Sequence, residues 1–281
     1  MGSVCIVSDS TALFPNPVFQ GRSRVHLLPE AWNGASPAGQ RYKAADFPES
    51  LQGKEVPSLA TPSAAEFEKF FRQLSGHYSG VLAILHTDQF SKAVLAAQQA
   101  ATTLHSTVPV RVINSTTVSL GLGFIVQAAA EAAEAAESDL QLAELDLYAR
   151  SLIPKVYGLL SIPGLSYLQR SALINPSQAW VAEHLRVNQV YTLEEGELVP
   201  TQKARNPRHL ADIMFEFLSE FVDLQHVALM QGAPPFEQET RALRERLHEE
   251  GLQVAISEQI INAPFASFIG PHSLGVFALE K

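Results

Sequence analysis

Residues 110–123 read Val-Arg-Val-Ile-Asn-Ser-Thr-Thr-Val-Ser-Leu-Gly-Leu-Gly. An apolar run ends in amide and hydroxyl side chains, and a glycine-bearing helical pattern follows. Short apolar runs before helical patterns read as buried parallel strands. Two other stretches repeat the design. Val4-Cys5-Ile6-Val7 runs into Ser8-Asp9-Ser10-Thr11, and Val81-Leu82-Ala83-Ile84-Leu85 runs into His86-Thr87-Asp88-Gln89-Phe90-Ser91. In such a sheet the carboxyl ends of the strands line one crevice, where ligands usually bind. The expected fold class is α/β, with small, mostly uncharged polar groups along one rim of a mainly parallel sheet.

Helices fill the intervals. Ser63 and Glu66 form a capping-box pattern, and Phe67, Phe70, Phe71 and Leu74 follow as an apolar stripe that should stop near Gly76 or Gly80. Further helices are predicted over about 90–104, 121–137 and 140–152, the last capped by Ser138-Asp139. Asn206-Pro207 reads as the cap and first position of a helix through Val222, and residues 236–250 form another closed by Gly251. Strands are predicted near 25–28, 156–160, 190–193, 227–230, 252–257 and 274–279, with a hairpin turn at Glu194-Glu195-Gly196-Glu197. Residues 30–60 carry Pro, Gly, Ala and Ser with weak periodicity and read as a long, partly ordered excursion. A boundary near residue 150 divides the chain into an N-terminal α/β domain, 1–150, and a C-terminal one, 151–281.

Bulk composition narrows the function. A net charge of −9 argues against a general nucleic-acid binder and against attraction to anionic membranes. No apolar run approaches the roughly 18 residues that span a bilayer. The first strand begins at once, so no signal peptide is visible and a cytoplasmic location is expected. The lone cysteine, Cys5, excludes an internal disulfide and reads as core filler.

The usual chemistries find little support. No His-Glu-x-x-His, Cys-x-x-Cys or close acidic triad appears, so no metal is expected. A Gly-x-Ser-x-Gly elbow and a Walker loop are missing, and Gly121-Leu122-Gly123 lacks the third glycine of a dinucleotide loop. Hydroxyls near helix starts remain. Thr61 precedes one helix and Ser91 another; with the N–H groups of those first turns they suit a carboxylate. Both also read as ordinary caps. An enzyme using Asp9, Ser10 and Ser91 at the rim, a hydrolase or transferase, is the alternative.

Six segments in fixed order carry a family resemblance: Ile-Val-Ser-Asp-Ser-Thr at 6–11, Thr-Pro-Ser-x-x-Glu-Phe at 61–67 and Phe-Ser at 90–91, then Ile-Asn-Ser-Thr-Thr-Val-Ser-Leu-Gly-Leu-Gly at 113–123, Leu-Ser-Tyr-Leu-Gln-Arg at 165–170 and Gly-Pro-His-Ser-Leu-Gly-Val-Phe at 270–277. The chain resembles the DegV family of bacterial fatty-acid-binding proteins along nearly its whole length. The resemblance implies two α/β domains with an acyl chain buried between or within them. It implies a cytoplasmic carrier without catalysis or cofactor, which presents the carboxylate of a long-chain fatty acid to a separate kinase. By motif match Thr61 and Ser91 hold the carboxylate. Ser119, Gly121 and Gly123 lie beside the acyl tunnel, and Arg205 faces the phosphate or the kinase.

The departures mark a divergent member. Ser171-Ala172-Leu173 stand where the family commonly has Gly-Gly-Arg, and Phe268 replaces a His at the ligand site. Asn188-Gln189 replaces a Lys-Pro pair, and Asn114 an Asp. Leu173 and Phe268 remove two head-group donors, which puts transfer to a kinase in doubt.

Overall fold

The computed structural model describes residues 3–34, 41–51, 53–105, 107–136, 141–174 and 188–281. They form two compact units. One comprises Met1–Ala31 and Ala60–Pro154; the other comprises Trp32–Leu59 and Lys155–Lys281. The domain boundary expected near residue 150 falls after Pro154, and residues 32–59, expected in the first domain, belong to the second unit.

In the first unit, β1 (Val4–Ser8), β2 (Val25–Leu27), β5 (Gly80–Leu85) and β6 (Val110–Asn114) form a sheet of order β2-β1-β5-β6. All of its pairings are parallel. Helices cover both faces, which is why β1 and β5 are buried along their whole length. Cys5, Val7, Val81, Ala83 and Leu85 point to one face and pack with Phe67 and Phe71 of α1 (Ala64–Ser75) and Ala97 and Leu104 of α2 (Ala93–Leu104). On the sheet's other side run α3 (Ser119–Ala135) and α4 (Leu142–Leu152), which contact β1 and β5. The expected Cys5 filler role fits its full burial, which pushes the thiol up to about 12.

Local signals hold where they were strongest. Ser63 caps α1: its hydroxyl accepts from Glu66 N at 3.3 Å, and the Glu66 carboxylate accepts from Ser63 N at 2.7 Å. The helix ends at Ser75 beside Gly76. The proposed Ser138-Asp139 cap lies outside the described residues.

The second unit holds a six-stranded mixed sheet of order β11-β10-β12-β7-β8-β9. Its strands are β7 (Val156–Ile162), β8 (Asn188–Glu194), β9 (Glu197–Ala204), β10 (Leu224–Gln231), β11 (Ala255–Ile260) and β12 (Leu274–Glu280). Only the β10–β11 pair is parallel. The β8–β9 hairpin turns where expected, with Glu195 at φ 49 and Gly196 at φ 90, the paired positive angles of a type I′ turn. Met214 and Leu218 of α6 (Pro207–Ser219) and Leu243 of α7 (Glu237–Glu249) close the core over Leu229 and Val276.

The excursion is built into this unit. Its short strands β3 (Trp32–Asn33) and β4 (Ser58–Leu59) pair antiparallel. Phe47 and Leu51, with Trp32 and Tyr42, pack against Tyr167 of α5 (Ser166–Arg170) and Ala263 of α8 (Ala263–Ile269). Arg170 donates to the carbonyls of Val56 at 3.1 Å and Ser267 at 2.6 Å, which fixes both ends of the cluster.

Ala172 holds φ 57. The resemblance places a glycine here, so the backbone keeps a left-handed turn that the present side chain resists. Ala172→Gly is expected to raise unfolding free energy by up to about 1 kcal/mol, relief of strain outweighing the entropy of the unfolded glycine. A urea midpoint that falls would refute this.

Candidate functional site

The carboxyl ends of the first unit's strands carry its densest buried polar network. Ser8 Oγ donates to Ile84 O at 2.8 Å, which ties the end of β1 to β5. Ser115 N donates to Leu85 O at 3.0 Å, and Thr87 N to Thr117 O at 3.0 Å. The loops after three strands are thereby locked to one another.

Asp9 sits at the centre and is 5% exposed. Its Oδ1 accepts from Thr11 N at 3.0 Å and from the Thr11 hydroxyl, and its Oδ2 accepts from His86 N at 2.8 Å. His86 Nδ1 lies 3.0 Å from Asp9 Oδ1, in a bent approach. Burial alone would raise the Asp9 carboxyl. The His86 charge and the hydrogen bonds from His86 and Thr11 outweigh burial and hold it down at about 2. A folded value of about 2 against 3.8 contributes stability above pH ~4 that is lost as pH falls toward 2. The expected loss over that window is roughly 2 kcal/mol. Urea unfolding followed between pH 5 and pH 2 checks it.

His86 is 3% exposed, and its other ring nitrogen, Nε2, lies 2.8 Å from Ser91 Oγ. Ser91 itself is partly exposed and accepts from Ala93 N at 3.3 Å, at the start of α2. Asp9, His86 and Ser91 therefore form a continuous line from the buried end of β1 to the protein surface.

The other predicted site residues fall as follows. Ser119 begins α3 at φ 53 and is fully buried; its carbonyl accepts from Leu13 N at 3.2 Å. Gly121 is buried one position short of the first full turn of the same helix. Gly123, also buried there, faces the Leu13 carbonyl so closely that a Cβ would stand 1.8 Å from that oxygen. Thr61 is exposed and precedes α1, which runs through a short turn into the start of β5. The N-terminus of α1 thus points toward the carboxyl edge. The Glu66 carboxylate already occupies that N-terminus through the capping box, which leaves the Thr61 hydroxyl rather than the helix end as the available donor.

Arg205 and Phe268 belong to the second unit. Arg205 is exposed just beyond β9, its N–H donating to His209 Nδ1 at 3.3 Å. Phe268 is buried in α8, and its carbonyl accepts from Ser171 Oγ at 3.3 Å.

Sequence reasoning missed His86. The residue stood in the quoted stretch, yet the enzyme alternative named Ser10 in its place. In the structure His86 is the group that bridges Asp9 and Ser91. The signal was a histidine one position past a buried strand and five before a serine, and the partner Asp9 lies 77 residues away. Among the described residues no group of three or more His, Cys, Asp or Glu side chains is placed to hold a metal. No helix among them is long and apolar enough to cross a membrane.

Residues 3–281 match a family model described as an uncharacterised protein of the DegV family. A DegV domain-containing protein of Streptomyces coelicolor is 26% identical over 289 residues, covering 99% of each chain. A DegV family protein from Thermus thermophilus, whose structure is described as showing fatty acid binding, aligns with a TM-score of 0.81 at 23% identity, over 99% of this chain and 100% of that one. The Streptococcus pneumoniae Fatty Acid Kinase (Fak) B3 protein, solved loaded with linoleic acid, aligns at 0.83 and 17% identity, over 99% and 100%.

Proposed function

Because this chain belongs to the DegV family, we propose that it binds a long-chain fatty acid, with the carboxylate received by hydroxyls and main-chain amides of the first unit's rim. The observation that supports this most is the placement of Ser91. It is a reachable hydroxyl at the start of α2, beside a locked polar rim and next to N–H groups of a helix's first turn. Thr61 supplies a second exposed hydroxyl ahead of α1.

The energetics favour tight capture. Each buried methylene contributes about 0.8 kcal/mol, so a saturated chain of ordinary length contributes on the order of 10 kcal/mol before binding entropy is subtracted. A carboxylate buried without donors costs several kcal/mol, so the donors set selectivity for an acid. No cofactor enters this reading. Delivery of the head group to a fatty acid kinase, with Arg205 as the exposed contact, extends it; Leu173 and Phe268 leave that step without two donors that the family commonly has.

Loss of one hydroxyl that bonds a charge is worth about 1.5–3 kcal/mol, so Thr61→Val or Ser91→Ala should weaken fatty acid binding about tenfold or more. Native mass spectrometry of the purified chain, followed by titration with a fluorescent fatty acid, checks both. A protein that retains no lipid and binds none would overturn the proposal. Unchanged affinity in both variants would overturn the head-group assignment.

A further inference from the structure

The Ser91 hydroxyl has one O–H to give and two lone pairs that accept. The Ala93 N–H takes one lone pair at 3.3 Å, and His86 Nε2 lies 2.8 Å from the same oxygen. A carboxylate only accepts, so a Ser91 that binds one has spent its O–H on it. Across 2.8 Å Nε2 must then be the donor, directed at the second lone pair. On the other side of the ring, Nδ1 lies 3.0 Å from Asp9 Oδ1. Asp9 is held down at about 2, so near neutral pH it is ionised and likewise only accepts. Both ring nitrogens of His86 then face acceptors, and a histidine that donates from both is cationic.

Charge on this rim comes down to the same side chain. The loops 9–13, 86–91 and 114–118 contain no Lys or Arg, so His86 is the one residue of the three that can become positive. We infer that His86 is the positioning residue of head-group recognition: it donates to Ser91 Oγ from behind, leaves the Ser91 O–H for the carboxylate, and sets a positive charge one hydroxyl away from the acid. The inference deepens the fatty-acid-binding reading and rests on it. Asp9 fixes the ring from the buried end, and the ring is 3% exposed, so its charge is little screened by water. The other groups nearby leave that pairing intact. Phe90 meets the ring edge-on at 6.5 Å between centroids, Glu66 of α1's first turn is engaged by Ser63, and Asp88 and Lys92 are exposed. An alcohol or ester of the same chain length carries no charge and gains nothing from this arrangement. His86 is therefore the group that makes the site prefer an acid to a neutral lipid.

The test uses the full chain, stripped of bound lipid on a hydrophobic resin. Dodecanoic acid and dodecanol are the paired probes, each displacing a fluorescent fatty acid. In the dodecanoate complex near neutral pH, nitrogen-15 NMR should show both ring nitrogens of His86 protonated, with the signals assigned through the His86 backbone. The preference for acid over alcohol should fall about tenfold or more in His86→Gln, with dodecanol affinity unchanged. A merely structural role would weaken both probes alike. Ser91→Ala cuts the connection between ring and ligand, so adding His86→Gln to it should cost the acid little further affinity. A bare Nε2 in the complex, an undiminished preference in His86→Gln, or an equal loss for the two probes would overturn the role of His86 and leave the binding reading standing. An unmutated chain that binds neither probe would sink the binding reading, and this inference with it.

Discussion

Gly123→Ala is expected to cost roughly 3 kcal/mol or more of unfolding free energy. The added Cβ would stand 1.8 Å from Leu13 O and 2.7 Å from its carbonyl carbon. Both atoms are backbone, so no rotamer change relieves the overlap. Leu13 is also held on its other side, since its N–H donates to Ser119 O at 3.2 Å. The better helix propensity of alanine returns only about 1 kcal/mol. Gly76→Ala is the matched control. Its nearest atom, Gln73 O, would lie 3.7 Å from the new carbon, and stability there should be unchanged or slightly raised. Equilibrium urea unfolding of both variants measures the contrast. Equal midpoints would show that α3 and the Leu13 segment do not approach as described.

Asp9→Ala should be comparably severe, costing about 3–5 kcal/mol because a buried charged partner disappears while its donors stay buried. Thr11 N and His86 N each lose an acceptor, at 3.0 and 2.8 Å respectively. The His86 ring loses the charge that orients it. The variant should also lose the acid sensitivity assigned to this carboxyl, so its stability should fall less steeply than the parent's between pH 4 and pH 2. A loss below 1 kcal/mol in the same unfolding measurement, with the parent's pH slope retained, would refute the network.

Elements with a local cause were legible in the sequence. The central strands of the first sheet, β1 and β5, are short apolar runs buried on both faces. The Ser63 and Asn206 caps, the Glu195-Gly196 turn and the Gly251 stop each depend on residues a few positions apart. The misses have distant causes. Every residue of α8 is buried, so it has no polar face to set a helical period; Asn262 and Pro264 at its start were the only local marks. The described part of 32–59 shows no period because Trp32, Tyr42, Phe47 and Leu51 take their places against Tyr167 and Ala263, more than a hundred positions later. At the site, Ser91 was visible as a hydroxyl beside a helix start. Its coupling to Asp9 was not, because only the parallel pairing of β1 with β5 brings residues 9 and 86 together.

The placement of Trp32–Leu59 has a consequence for synthesis on the ribosome. By Pro154 everything the first unit needs has been translated, so that body can close while the chain is still growing. Trp32, Tyr42 and Phe47 have by then been made as well, yet Tyr167 and Ala263, on which they settle, have not. The nascent chain therefore carries these aromatic residues out of a finished body, without their destination, until Tyr167 and Ala263 have been translated. A truncation ending at Pro154 should keep those aromatics exposed permanently and be stickier than the 281-residue chain.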